Sequence, residues 1–336
     1  MLSETAAAPT TERAYGALMP EHTVRALTPD DFVDACDVLN AADLAAGAPR
    51  VLSPDELAEE LELADLTQDT FGVDIDGRLA GLAYTLHLPS EVSEERCYVF
   101  GATHPAHRGL GIGRAVLERG VARARAQLAS SPRDLPRHLR VERLEPAEDA
   151  HRLFLRFGFQ PVRWFEELRC PIIDRAPTGR TAPAGVRIVP WPDERDEELR
   201  AVKNTAFADH WGSTPTPPEH WAQQTRGFGA RLDLSSVAID EATGAVVAVC
   251  LCKRYEADDA VTGRREGWID KLGTLREWRG RGVASALIER AIEAFREEGL
   301  TDASLGVDAD SPTGAAGLYR SLGFDLVRRS ITYQID

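Results

Sequence analysis

The chain has 336 residues, and its formal net charge of −15 excludes the broad basic face that a nucleic-acid partner would need. Apolar residues make up 43% of it, which suits a folded enzyme, and the length suits two domains. Cys36, Cys97, Cys170, Cys250 and Cys252 match no zinc or CxxC spacing, so they read as reduced, buried thiols with no metal site. The longest apolar run, Ala245 to Cys252, is too short to cross a bilayer, and no signal-peptide core opens the chain. A cytoplasmic protein without a membrane partner is expected.

In chain order, residues 1–20 read as a flexible tail rich in Ala, Thr and Glu. A short strand at His22–Leu27 leads into a helical region. Two apolar strands, Phe71–Ile75 and Leu79–Leu88, flank an Asp76-Gly77 turn. A strand at Cys97–Thr103 then runs into the loop Arg108-Gly109-Leu110-Gly111-Ile112-Gly113. A helix follows, with Ile112, Val116, Val121 and Leu128 on one stripe, and the unit closes on Gly158-Phe159.

Residues 171–185, rich in Pro, Gly and Thr, read as a linker. The same order then repeats. It runs through a strand at Gly185–Pro190, a helical region and strands at Ser236–Asp240 and Ala245–Tyr255 around Thr243-Gly244. A strand at Trp268–Leu275 leads into the loop Arg279-Gly280-Arg281-Gly282-Val283-Ala284. Val283, Leu287, Ala291 and Phe295 mark the next helix, and Gly323-Phe324 closes the unit. The expectation is two tandem α/β domains at 21–170 and 186–336, each a mixed central sheet flanked by helices.

Both glycine loops end a strand and open a helix, where unpaired amides and the helix dipole favour an anion. Small residues let those amides approach a pyrophosphate, and arginine adds charge. The dinucleotide pattern fails at Arg114 and at Ser285, and no GxxxxGK[ST] occurs. No GxSxG elbow appears, which disfavours a hydrolase.

What fits is R-x-x-G-x-G/A, and here the chain resembles the GNAT (GCN5-related N-acetyltransferase) superfamily over nearly its whole length outside tail and linker. The resemblance implies that the loop grips the pyrophosphate of acetyl-CoA. In the second half this points to Arg279, Gly280, Arg281, Gly282, Val283, Ala284 and Ser285. In the first half it points to Arg108, Gly109, Gly111 and Gly113. It also implies a splayed strand near Gly273, Thr274 and Leu275, whose amides would polarise the thioester carbonyl.

The family's L-Y-x-x-x-G-F segment is matched by Leu318-Tyr319-Arg320-Ser321-Leu322-Gly323-Phe324, which makes Tyr319 the expected proton donor to the departing thiolate. A tyrosine with an ordinary pKa near 10 stays protonated at pH 7. In the first half Phe154 takes that place, so an inactive or much weakened domain is expected there. This tandem layout resembles the mycothiol synthase family, in which the C-terminal domain does the chemistry.

Asp270 is the first choice for taking the amine's proton and Glu266 the second; Asp270 paired with Lys271 or Arg265 on a solvated face is the alternative. Asp308 and Asp310 follow the next strand, where Asp308 either meets a cationic acceptor or is a turn residue. His104 and His107 read as loop residues. His210, Trp211 and Trp221 either line the acceptor pocket or pack. The expected reaction is direct acetyl transfer from acetyl-CoA to a small-molecule primary amine. The competing readings are a non-catalytic acyl-CoA sensor and a protein N-acetyltransferase.

Overall fold

A computed structural model describes residues 22–176, 178–311 and 314–336; the expected tail lies outside them. The first half runs α1 (Phe32–Ala45), α2 (Pro54–Glu60), α3 (Leu66–Asp69), β1 (Thr70–Ile75), β2 (Arg78–Leu88), β3 (Glu95–Thr103), α4 (Ile112–Ser130), β4 (Arg137–Leu144), α5 (Glu148–Arg156) and β5 (Gln160–Pro171). The second runs β6 (Val186–Pro190), α6 (Asp196–Ala206), α7 (Pro218–Arg226), β7 (Ser236–Asp240), β8 (Val246–Arg254), α8 (Asp259–Thr262), β9 (Glu266–Thr274), α9 (Val283–Glu297), β10 (Asp302–Asp308), α10 (Ala315–Ser321) and β11 (Asp325–Ile335).

Turn chemistry sets the hairpins. Asp76 and Gly77 both take positive φ, at 51° and 80°, the turn that matches the twist between β1 and β2. The strand expected at His22–Leu27 reduces to a bridge between Arg25 and Gly72. A leucine lies alongside, and a Cβ on Gly72 would stand 2.7 Å from Leu27 Cδ2.

All strands join one sheet in the order β1-β2-β3-β4-β11-β5-β10-β9-β8-β7-β6. The closing strands are exchanged. β5, from the first half, pairs antiparallel with β10, from Asp302 opposite Pro171 to Asp308 opposite Phe165. β11, from the chain's end, pairs antiparallel with β4, from Ser330 opposite Leu144 to Ile335 opposite Leu139. β5 and β11 also pair with each other.

The cores follow the exchange. Leu168, Cys170 and Ile172 pack with α9, β8 and Phe324, whereas Ile331 and Tyr333 pack with α4, Phe154 and Phe159. Helices α1 and α2 cover the other face of the first half, and α6 and α7 that of the second. Where β11 meets β5, Glu166 is buried against Arg329 at 2.6 Å, which compensates its desolvation.

Candidate active site

In each half two parallel strands start paired and then part. β3 and β4 pair from Glu95–Arg137 to Tyr98–Arg140 and no further; β9 and β10 pair from Glu266–Asp302 to Ile269–Leu305. Beyond these points each pair opens into a V. On β9 the register against β8 also slips: Leu251 faces Lys271 and Cys252 faces Ile269, leaving Asp270 on a bulge. A bulge re-aims side chains at the place where the strands part.

At the end of β9, Arg276–Trp278 form a single helical turn, and Gly280 and Gly282 take φ of 72° and 91°. Nothing stands within 4 Å of a Cβ at either glycine, so the loop leaves open space in front of α9. The first intrahelical bond is Ala286 N–H to Gly282 O, and Gly282 has no side chain to cap the amides of Val283, Ala284 and Ser285. These bare amides at the positive end of a helix fit a phosphate. Just before the loop, the buried Thr274 Oγ1 has no hydrogen-bond partner among the described residues.

Two residues of the expected loop are already engaged. Arg279 donates to Asp209 Oδ2 at 2.6 Å, to Ala206 O at 2.8 Å and to Thr274 O at 3.1 Å, so its guanidinium ties α6 to β9. The Leu275 N–H is spent on Val247 O at 2.9 Å. Arg281 lies over the Trp278 ring at 5.0 Å. In the first half, Gly111 caps α4 at φ 86°, and a cleft of about 1170 Å³ is lined by Arg108, Gly109, Gly111, Gly113 and Phe154.

Tyr319 sits in α10, buried in the core of the second half, with its ring 6.2 Å from Phe324. Burial, and then the neighbouring Cys250, push its hydroxyl pKa up to about 12, so it holds its proton at any physiological pH. Asp270 pairs with Lys271 Nζ at 3.1 Å. Asp270 and Glu266 nevertheless line a cavity of about 520 Å³ together with Phe100, Glu142 and Arg143 of the first half. Phe100, Glu142 and Arg143 also line the first half's cleft, so the two spaces adjoin. Glu266 is bound by Arg169 at 2.5 Å and Arg264 at 2.9 Å.

Asp308 is buried and held by Arg163 at 2.7 Å. Trp211 lies under Arg140, 4.1 Å from ring to guanidinium, and Trp221 is a core residue whose indole N–H donates to Asp196 at 2.8 Å. His210 packs on Phe207, and burial lowers its pKa. His104 Nδ1 accepts the Ala106 N–H, a turn cap. Among the described residues no His, Cys, Asp or Glu group is arranged to hold a metal ion. None of the described helices is long and apolar enough to cross a membrane.

One residue escaped the sequence reading. Lys203 lies on the sheet-facing side of α6 with Leu199, Val202 and Ala206, only 6% exposed. Its Nζ donates to Thr216 Oγ1, and the Phe207 ring lies 5.6 Å away. Burial, and then Lys271, lower its pKa to about 8, against a smaller opposing pull from Asp270. The signal was a lysine on the apolar stripe Leu199, Val202, Ala206.

The acetyltransferase (GNAT) family model matches residues 39–159 and 197–324. Mycothiol acetyltransferase of Frankia alni is 28% identical over 330 residues, covering 91% of this chain and 94% of its own. The enzyme of that name from Frankia casuarinae is 30% identical over 268 residues, covering 76% of this chain and 72% of its own. A GCN5-related N-acetyltransferase from Sphaerobacter thermophilus superposes with a TM-score of 0.75 at 26% identity, covering 95% of this chain and 96% of that one. Two V-shaped strand pairs, each followed by a bare helix N-terminus, and a family match falling once on each half lead to one assignment: the chain belongs to the acetyltransferase (GNAT) family and is an N-acetyltransferase with a tandem arrangement of its family domains.

Proposed function

We propose that the protein moves an acetyl group from acetyl-CoA to the primary amine of a small molecule, and that the second half performs the transfer. The observation carrying this reading is that the second half joins a bare helix N-terminus at Gly282–Ser285 to a buried, protonated tyrosine, Tyr319. The first half has the loop and has Phe154 in the tyrosine's place. The mycothiol acetyltransferases among its relatives favour a small-molecule acceptor.

Acetyl-CoA, when bound, supplies an acyl group activated as a thioester. The amides of Val283, Ala284 and Ser285 hold its phosphates, with Gly280 and Gly282 leaving room for them. Arg279 shapes the loop from behind through Asp209. Tyr319 donates its proton to the departing sulfur. Asp270 opens on the cavity between the halves and draws the charged amine to the bulge of β9. The first half's cleft holds a second coenzyme molecule without turning it over.

Calorimetric titration of acetyl-CoA into wild type, Gly282→Glu and Gly111→Glu tests this reading. Each change sets a carboxylate where phosphates would lie, at a φ only glycine adopts freely. Wild type should bind two molecules per chain and each variant one, with acetyl transfer lost only in Gly282→Glu. An unaltered isotherm in Gly282→Glu would remove the second half as the coenzyme site.

A further inference from the structure

Lys203 is a buried ammonium in a place where a cation is costly. Among the described residues it forms no ion pair; its side-chain partners are the neutral Thr216 Oγ1 and, at 3.5 Å, Asn204 Oδ1. A desolvated charge without a counter-charge destabilises a fold, so its retention calls for a reason.

Anchoring the loop at Thr216 is not that reason. Thr216 is already fixed by its own N–H to Asn204 Oδ1 at 2.9 Å, by Asn204 Nδ2 to its carbonyl at 3.2 Å and by Arg200 to the same carbonyl at 2.7 Å. A neutral side chain at 203 would leave all three in place.

The position of Lys203 supplies the reason. α6 turns it inward onto the sheet, and one turn later Ala206 and Phe207 close on β9 at Gly273: a Cβ there would stand 3.0 Å from Ala206 Cβ and 2.8 Å from the Phe207 ring. The lysine thus faces β9 where it leaves β10, on the face of the sheet that α6 and α7 cover. The charged groups that act on it are Asp270 and Lys271 from β9 and Arg96 from β3, and it acts in turn on His210 in the loop after α6.

An alkyl amine reaches such a site as an ammonium and must lose a proton before it can attack. The Asp270 carboxylate already has a cationic partner, Lys271 Nζ at 3.1 Å. Resting on the acetyltransferase reading, we propose that Lys203 Nζ, in its neutral form, takes the first proton from the acceptor's ammonium, while Asp270 holds that ammonium by its charge. The freed amine's lone pair forms the N–C bond to the acyl carbon, and the C–S bond breaks with its electrons leaving on sulfur. Tyr319 protonates that sulfur and is re-protonated by the second proton leaving nitrogen, and Lys203 returns its own proton to solvent. The pKa of Lys203, lowered to about 8, suits this exchange near neutral pH.

The test uses the full chain, its Lys203→Met and Lys203→Arg variants, and lysine ζ-¹⁵N NMR. In wild type one lysine signal should titrate near pH 8 and vanish in Lys203→Met, whose acetyl-CoA calorimetry should match wild type. Acetyl transfer from acetyl-CoA to ethanolamine, charged at neutral pH, should fall about 100-fold in both variants. Transfer to hydroxylamine, largely neutral there, should fall far less in Lys203→Met. Equal losses for the two amines, or a Lys203 signal in the ordinary lysine range while acetyl-CoA still binds, overturns the assignment alone. No acetyl-CoA binding in wild type overturns the acetyltransferase reading and the assignment with it.

Discussion

At the scale of single residues, burial separates the two titratable side chains to which the proposed mechanism gives proton transfers. Desolvation disfavours whichever form is charged, so it raises Tyr319 and lowers Lys203. Tyr319 therefore keeps its proton across the physiological range, while Lys203, with a pKa lowered to about 8, exchanges its proton at the upper end of that range. Replacing Tyr319 by Phe keeps the ring packing against Phe324 and removes the proton, so kcat should fall about 100-fold with little change in acetyl-CoA affinity. The same substitution has a pH signature in stability. The folded tyrosine titrates at about 12 and an unfolded one at 10.0, so between those values the native state binds more protons than the unfolded state. Stability is then lost as pH rises from 10 to about 12, and the sign of the linkage makes Tyr319→Phe more resistant than wild type above pH 10 and not below it. Thermal melts of both proteins at pH 7 and pH 11 would check it; a wild type that gains on the variant at pH 11 would contradict the buried, protonated tyrosine.

At the scale of elements, what was local in the sequence was legible. The two hairpins could be placed because alternation and turn residues act over a few positions, and β7 falls on Ser236–Asp240 as expected. The glycine loops were legible because left-handed caps need glycine, as Gly111 and Gly282 confirm with φ of 86° and 91°. Lys203 carries no decisive signal in the sequence, because a lone lysine on a helix stripe ordinarily snorkels outward; only the packing of α6 on β9 buries it. The exchange of β5 and β11 was beyond reach for a different reason. Both strands follow the same Gly-Phe signal, so the local pattern fits either partner, and only long-range packing chooses. The consequence is that Tyr333, in the last dozen residues, belongs to the first half's core. Its ring lies 5.6 Å from Phe154 and 5.5 Å from His151. Tyr333→Ala should cost about 3–5 kcal/mol, as deletion of a buried aromatic does, and hydrogen exchange should quicken at α4 and α5 before α9. Faster exchange confined to α9 and α10 would place Tyr333 in the wrong core.

At the scale of the whole molecule, the exchange makes two sequence repeats into one folding unit. A chain cut within residues 171–185 would leave the first half without β11, so β4 and β5 would each lose the partner between them. It would also strip β5 of β10 and expose Leu168 and Cys170, both almost wholly buried in the second half's core. Two opened edges and a bared apolar strand are the conditions under which sheets aggregate. Residues 1–176 expressed alone should therefore be insoluble or associate, and so should 177–336. The two fragments expressed together should reassemble, because the lost strand pairings are intermolecular contacts that a nick leaves available. Calorimetry on the intact chain should show one transition, since neither half can melt without releasing a strand of the other. Two resolved transitions, or a soluble monomeric first half with native circular dichroism, would mean that the exchange is not what holds the halves together. One transition would also bear on function. The cavity that Asp270 lines is also lined by Phe100, Glu142 and Arg143, so a half freed from its partner would lose the cavity in which the proposed function places the acceptor.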